Sequence, residues 1–167
     1  RYMESPLEVI DVNVIGTRNI LDSASKNGIR VLFTSTSEVF GKNPATPWVE
    51  DADRVLGSTS TERWCYSTSK ALCEHMIFAL TKSQRLQCSI VRLFNVYGPK
   101  QSPHFVVSQG VHRVLHNQAP LIYDSGDQTR CFTYIDDAIS GIYLAANSPN
   151  AIGQAFNIGS NAPTTVR

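Results

Sequence analysis

The chain has 167 residues, 42% of them hydrophobic, and a net charge of +1. That is enough apolar content for one ordinary globular core, and neither the charge balance nor any run of like charges calls for a nucleic-acid partner. No apolar run is long enough to span a membrane, and the opening Arg1-Tyr2-Met3-Glu4 lacks the apolar core of a secretory signal.

In chain order, Pro6 to Gly28 predicts a helix. Val9, Ile10, Val14, Ile20, Leu21 and Ala24 recur at helical spacing, and Asn27-Gly28 supplies a stop. Arg30 to Thr36 predicts a short apolar strand running into hydroxyl residues, the rhythm of a parallel α/β sheet. Gly41 to Ser60, with Pro44 and Pro47, is a loop longer than a plain connection needs and is expected to shape a site. A helix over Thr61 to Ser83, a strand over Cys88 to Phe94 and a helix over Phe105 to Asn117 follow. Two strands, Pro120 to Tyr123 and Arg130 to Tyr134, are expected to flank the turn Ser125-Gly126-Asp127. Asp136 is the expected N-cap of a helix over Asp137 to Asn147. Ala155 to Ile158 is a last strand, and Pro163 to Arg167 reads as a loop. Both ends read as cut, so the chain is expected to be part of a longer one. Cys65, Cys73, Cys88 and Cys131 fit no zinc spacing and are too few for a disulfide scaffold, so free thiols in a reducing compartment are expected.

Three segments carry chemistry. In Tyr66-Ser67-Thr68-Ser69-Lys70 the spacing of four puts a phenol and an ammonium on one helix face. A phenol titrates near about pH 10, and a neighbouring cation favours the phenolate, making it a base nearer neutrality. Taken alone, the motif is common and fits an exposed Tyr and Lys on a solvated helix better than a catalytic pair. Upstream, Val31-Leu32-Phe33 runs into Thr34-Ser35-Thr36-Ser37-Glu38, and parallel sheets place ligands at the carboxyl ends of their strands. The plain alternative is a hydroxyl-rich turn. Downstream, Ile90-Val91-Arg92-Leu93-Phe94 ends at Asn95-Val96-Tyr97-Gly98-Pro99.

With these segments in this order, the chain resembles the extended short-chain dehydrogenase/reductases, the NAD-dependent epimerases and dehydratases. The resemblance also rests on Asn13-Val14-Ile15-Gly16-Thr17, on Gly126 to Arg130 with Asp136-Asp137, and on Asn157-Ile158-Gly159. It implies an α/β fold: an incomplete Rossmann-type parallel sheet, whose glycine-rich loop would precede residue 1, plus part of a small α/β substrate domain. The implied division is 1–100 for the NAD-binding half and 101–167 for the nucleotide-sugar region, with about 130–147 returning to the Rossmann domain.

The resemblance also implies roles. Tyr66 resembles the proton acceptor, and Lys70 its partner, which also holds the nicotinamide ribose. Thr36 resembles the hydroxyl that bonds the reacting sugar, and Asn95 and Arg130 resemble contacts to the sugar-nucleotide diphosphate. Arg130's fork suits a diphosphate; its plain alternative is an ion pair with Asp124 or Asp127. Asn13, Thr34 and Ser35 join Tyr66 and Lys70 along the NAD channel. No metal is implied.

Thr36-Ser37-Glu38 resembles the Thr-Ser-Glu of UDP-glucuronic acid decarboxylases. Together with Arg63 to Tyr66 and Arg130 to Thr133 it resembles the decarboxylase domain of the bacterial lipid A-modifying enzymes, a likeness that implies catalytic roles for Glu38 and Arg130. A 4-epimerase of UDP-glucose or UDP-glucuronate is the alternative. A 4,6-dehydratase is disfavoured by Ser37 where that class carries Asp, and a non-catalytic NAD-binding regulator is disfavoured because Tyr66 and Lys70 are both present. The lack of an insertion between Lys100-Gln101 and the helix at Phe105 departs from the bacterial lipid A-modifying decarboxylases. The implied partners are a nucleotide sugar and a second copy of the chain, with no nucleic acid and no membrane, in the cytoplasm.

Overall fold

In the computed structural model, residues 4–166 are described. The first helical run is α1 (Pro6–Ile10), a π-helical segment (Asp11–Gly16) and α2 (Thr17–Asn27). It ends at Gly28, whose φ of 63° is the left-handed conformation that glycine adopts without steric cost. β1 (Val31–Thr36) follows, then a 3₁₀ turn (Ser37–Phe40). Next come α3 (Arg63–Lys82), β2 (Cys88–Leu93) and β3 (Val96–Tyr97). The rest of the chain forms α4 (Val106–Leu115), β4 (Thr129–Cys131), β5 (Thr133–Tyr134), α5 (Ile135–Asn147), β6 (Ala155–Ile158) and β7 (Pro163–Thr165).

Contacts divide the chain into two units, one running to Leu93 and including Ile142–Asn157, the other formed by Phe94–Gly141 and the chain from Ile158. In the first unit the sheet order is β1-β2-β6. β1 and β2 are parallel, with Val31 opposite Cys88 and Thr36 opposite Leu93. β2 is buried from Cys88 to Arg92, so it reads as a continuous apolar run broken by one charge. The core joins Leu21 and Ala24 of α2 to Ile77 and Leu80 of α3 and to Cys88 and Ile90 of β2. Arg30, just before β1, gives its Nη2 to the carbonyls of Ala145 (3.0 Å) and Ser148 (2.6 Å). A guanidinium there satisfies orphan carbonyls at the end of α5 and complements its dipole.

The second unit carries two small pairings. β3 and β5 are parallel, and β4 and β7 are antiparallel with Arg130 opposite Thr164.

Four details differ from the expectation. Pro120 to Tyr123 forms no strand; Pro120 lacks an N–H donor for a ladder, and the segment joins none of the sheets among the described residues. Arg130 to Tyr134 is two short strands in two different sheets rather than one. Asp136 lies inside the first turn of α5, which opens at Ile135, so it complements the dipole instead of capping. Pro163–Thr165 is a strand because β4 offers it a ladder, a partner distant in sequence.

Candidate active site

The proposed catalytic and cofactor residues of the first unit meet where α3 crosses the carboxyl end of β1. Thr36 is the last residue of β1, and its Oγ1 accepts the backbone N–H of Glu38 at 3.2 Å, which caps the start of the 3₁₀ turn. Gly41 ends that turn with φ 64°, and a Cβ there would collide with the carbonyl of Val55. Ser67, fully buried on α3, donates to the carbonyl of Glu38 at 2.7 Å. The turn is thus pinned to the first half of α3 by the residue next to Tyr66.

Tyr66 and Lys70 lie one turn apart on α3. Lys70 is half-buried, with its Nζ donating to the carbonyl of Thr34 at 2.9 Å and 4.7 Å from the centre of the Phe33 ring. Burial pushes the Lys70 ammonium below the usual lysine range, opposed by neighbouring Cys73 and Glu74. Asn13 sits in the π-helical segment, and such segments recur at functional sites. Its Nδ2 donates to Ser69 Oγ at 2.9 Å, and Ser69 Oγ donates to the carbonyl of Tyr66 at 2.9 Å. The carbonyl of Asn13 accepts the thiol of Cys73 at 3.1 Å. Asn13, Thr34, Thr36, Glu38, Tyr66 and Lys70 therefore belong to one bonded assembly of two helices and one strand.

Ser35 takes a different path. Its hydroxyl turns to α3 and donates to Glu74 Oε1 at 2.5 Å. Glu74 in turn holds Arg92 of β2 through two parallel bonds, Nε to Oε1 at 3.0 Å and Nη2 to Oε2 at 2.7 Å. Glu74 and Arg92 are functional-looking residues that motif reasoning missed. The signal was present: Arg92 interrupts an apolar strand, and Glu74 lies one turn beyond Lys70.

Asn95 and Arg130 belong to the second unit. Asn95 adopts φ 34°, a conformation for which Asn is enriched among non-glycine residues, and its Nδ2 donates to the carbonyl of Cys131 at 3.4 Å. Arg130, exposed on β4, gives one Nη1 donor to the carbonyl of Thr129 at 2.8 Å. Among the described residues no cluster of three or more His, Cys, Asp or Glu could hold a metal, and no helix is long and apolar enough to cross a membrane.

A parallel Rossmann-type sheet whose strand end meets a Tyr–Lys pair on the following helix defines a nucleotide-cofactor α/β enzyme class. Residues 1–159 match the NAD dependent epimerase/dehydratase family model, and the chain belongs to that family. It is 41% identical over 168 residues to a UDP-N-acetyl-alpha-D-glucosaminuronate decarboxylase of Bacillus cytotoxicus, covering 99% of this chain and 51% of that protein. It is 33% identical to UDP-glucuronic acid decarboxylase 1 of Danio rerio, covering 99% of this chain and 39% of the relative. Among solved structures, it is similar to the UDP-glucuronic acid 4-epimerase of Bacillus cereus in complex with UDP-glucuronic acid and NAD. There the TM-score is 0.83 at 29% identity, covering 94% of this chain and 48% of the other. The chain thus spans about half the length, or less, of these relatives.

Proposed function

We infer that the complete protein decarboxylates a UDP-linked hexuronic acid, with NAD as cofactor. The observation that carries the choice of reaction is the state of Glu38. Its backbone serves as the brace: the N–H donates to Thr36 Oγ1 and the carbonyl accepts from Ser67 Oγ. Among the described residues its carboxylate makes no hydrogen bond or ion pair, although it stands two residues past the catalytic hydroxyl of Thr36. A carboxylate there is not needed to hold the turn and is available to substrate. The 41% identity to a hexuronate decarboxylase supports the same reading.

The residues present suit the nicotinamide end of NAD. Lys70 commits one of its three N–H donors to Thr34, which leaves donors for ribose hydroxyls beside Tyr66. When bound, the cofactor supplies reversible hydride chemistry at the sugar C4, and the protein supplies orientation and proton control. Tyr66, as phenolate favoured by Lys70, takes the proton of the C4 hydroxyl, and Thr36 orients that hydroxyl by hydrogen bonding. Once C4 is a ketone, a C5 carboxylate is a β-keto acid. Its carbon–carbon bond breaks, the electron pair passes into the C4 enolate, and neutral carbon dioxide leaves. Glu38 repels the departing carboxylate, and that repulsion vanishes as carbon dioxide forms, so the effect lowers the barrier instead of tightening ground-state binding. Asn95 and Arg130 are assigned to the nucleotide-sugar diphosphate, with Arg130 also the candidate cation for a substrate carboxylate. A cytoplasmic homodimer completes the reading: the four cysteines are free thiols, which suits a reducing compartment.

The test supplies full-length protein separately with UDP-glucuronic acid, its 2-acetamido counterpart and UDP-glucose, following carbon dioxide release and C4 inversion. Carbon dioxide from a uronic acid, lost in Glu38→Gln, is the expected result. C4 inversion without carbon dioxide makes the enzyme an epimerase and returns Glu38 to a purely structural role.

A further inference from the structure

Beneath the Tyr–Lys pair lies a polar assembly to which no role has been given. The Glu74 and Arg92 side chains are 7% and 8% exposed. Around them, Ser35 Oγ bonds Glu74 Oε1 at 2.5 Å, Arg92 Nη1 bonds the carbonyl of Glu50 at 2.6 Å, and the guanidinium lies 5.1 Å from the centre of the Phe40 ring. Glu50 closes the assembly by accepting the backbone N–H of Asn157 at its Oε1, 3.0 Å away. Four pieces of the first unit therefore converge on one ion pair: α3, β1, β2 and the loop between Gly41 and Ser60.

A buried pair of this kind is weak evidence for stability, because apolar residues of similar volume often serve as well or better. What an apolar pair does not supply is a fixed height. The two-pronged Arg–carboxylate fork is satisfied in one geometry only. Tyr66, Lys70 and Glu74 are spaced four apart on α3, so they follow one stripe of the helix. Successive turns of that stripe and its flank reach β1 and its turn through Ser67 to Glu38, Lys70 to Thr34 and Glu74 to Ser35. Of these three links only the last is buried and charge-assisted. A slip of α3 by one residue moves it about 1.5 Å along its axis, enough to break the fork and to lift Lys70 from Thr34.

We propose that Glu74, clamped between Ser35 and Arg92, is the positioning residue that sets α3 on the sheet so that Tyr66 and Lys70 meet the carboxyl end of β1. This rests on the assignment of Tyr66 and Lys70 as the catalytic pair. The titratable groups bearing on Lys70 are Cys73 and Glu74, both of which hold its ammonium up against burial. Removing the Glu74 carboxylate would by itself ease ionisation of a nearby phenol, so an upward shift at Tyr66 reports loss of the Lys70 cation from its place and not the missing charge.

The experiment uses full-length protein and reads Tyr66 directly, by ultraviolet difference titration of tyrosinate against the matching Tyr66→Phe variant. Thermal melting, kcat and KM are measured beside it. Glu74→Gln is expected to raise the Tyr66 titration by roughly one pH unit and to lower kcat about 10–100-fold, with KM nearly unchanged. The paired change Glu74→Leu with Arg92→Met is expected to regain the melting temperature while the raised titration persists. A folded Glu74→Gln protein with a wild-type Tyr66 titration overturns the proposal. So does a paired variant whose titration and kcat return together with its melting temperature. Should both variants fail to fold, Ser35→Ala decides: a partial upward shift supports the clamp, and none removes it. The titration needs no substrate. A wild type that turns over no nucleotide sugar therefore counts against the proposed reaction and leaves the positioning claim to be judged separately.

Discussion

At the scale of single residues, oxygen and sulfur atoms decide the chemistry. Tyr66→Phe removes one hydroxyl while keeping the ring, and loss of a positioned acid–base group costs about 10²–10⁴-fold, roughly 3–5 kcal/mol of barrier. Turnover of the full-length variant is expected to fall by that amount, with NAD retained on the purified protein; a near-normal rate would take Tyr66 out of the mechanism. The thiols divide by environment. Burial pushes the Cys88 thiol up to about 12 and raises that of Cys73, whose Sγ also donates to the Asn13 carbonyl. Only the thiolate is a good nucleophile. Cys65 and Cys131 are half-buried, so a disulfide reagent should label them first in native protein. Mass mapping that finds Cys73 or Cys88 modified as early would mean that α3 or β2 opens readily.

At the scale of elements, the site depends on how α3 is tied to the turn after β1. Ser67 is fully buried and supplies the bond to the Glu38 carbonyl. Ser67→Ala leaves that acceptor unpaired, at a cost of about 1–3 kcal/mol. We expect a lower unfolding midpoint in denaturant with an unchanged slope, and a kcat that falls more than KM rises, since Thr36 and Glu38 share the turn. An unchanged midpoint would show that the turn holds without α3. The helices and strands of the first unit were legible in the sequence because they obey short periods: Leu21, Ala24, Ile77 and Leu80 recur at helical spacing, and β2 is a mainly apolar run that Arg92 interrupts. The Tyr66–Lys70 pair was legible because both members sit on one helix. What the sequence hid depends on distant partners. Ser35, Glu74 and Arg92 are far apart in the chain, and no local pattern says that they share a hydrogen-bond network. β7 was invisible for the same reason, since its ladder is made with β4. The π-helical segment at Asn13 was hidden because its periodicity differs little from that of an α-helix over six residues.

At the scale of the whole molecule, the outward apolar surface of the first helical run is the main unexplained feature. Leu7 is 76% exposed, Val12 66% and Ile20 62%. On α3, Leu72 and Phe78 are also exposed. Isolated exposed apolar residues are ordinary, but repeated ones along a helix mark surfaces that associate. In the proposed homodimer this face and the exposed face of α3 would meet a second copy by helix-on-helix packing that buries both faces at once. Lysine at Val12 and Ile20 keeps helix propensity while making burial of that face costly. The full-length protein is therefore expected to run as a dimer in size-exclusion chromatography with light scattering, and Val12→Lys with Ile20→Lys to run as a monomer. Because Asn13 lies within the same helical run and bonds Ser69 beside Tyr66, dissociation should also lower turnover. A wild-type protein that is monomeric at micromolar concentration, or a double variant that remains dimeric, would assign this face to a different partner surface and separate it from the active site.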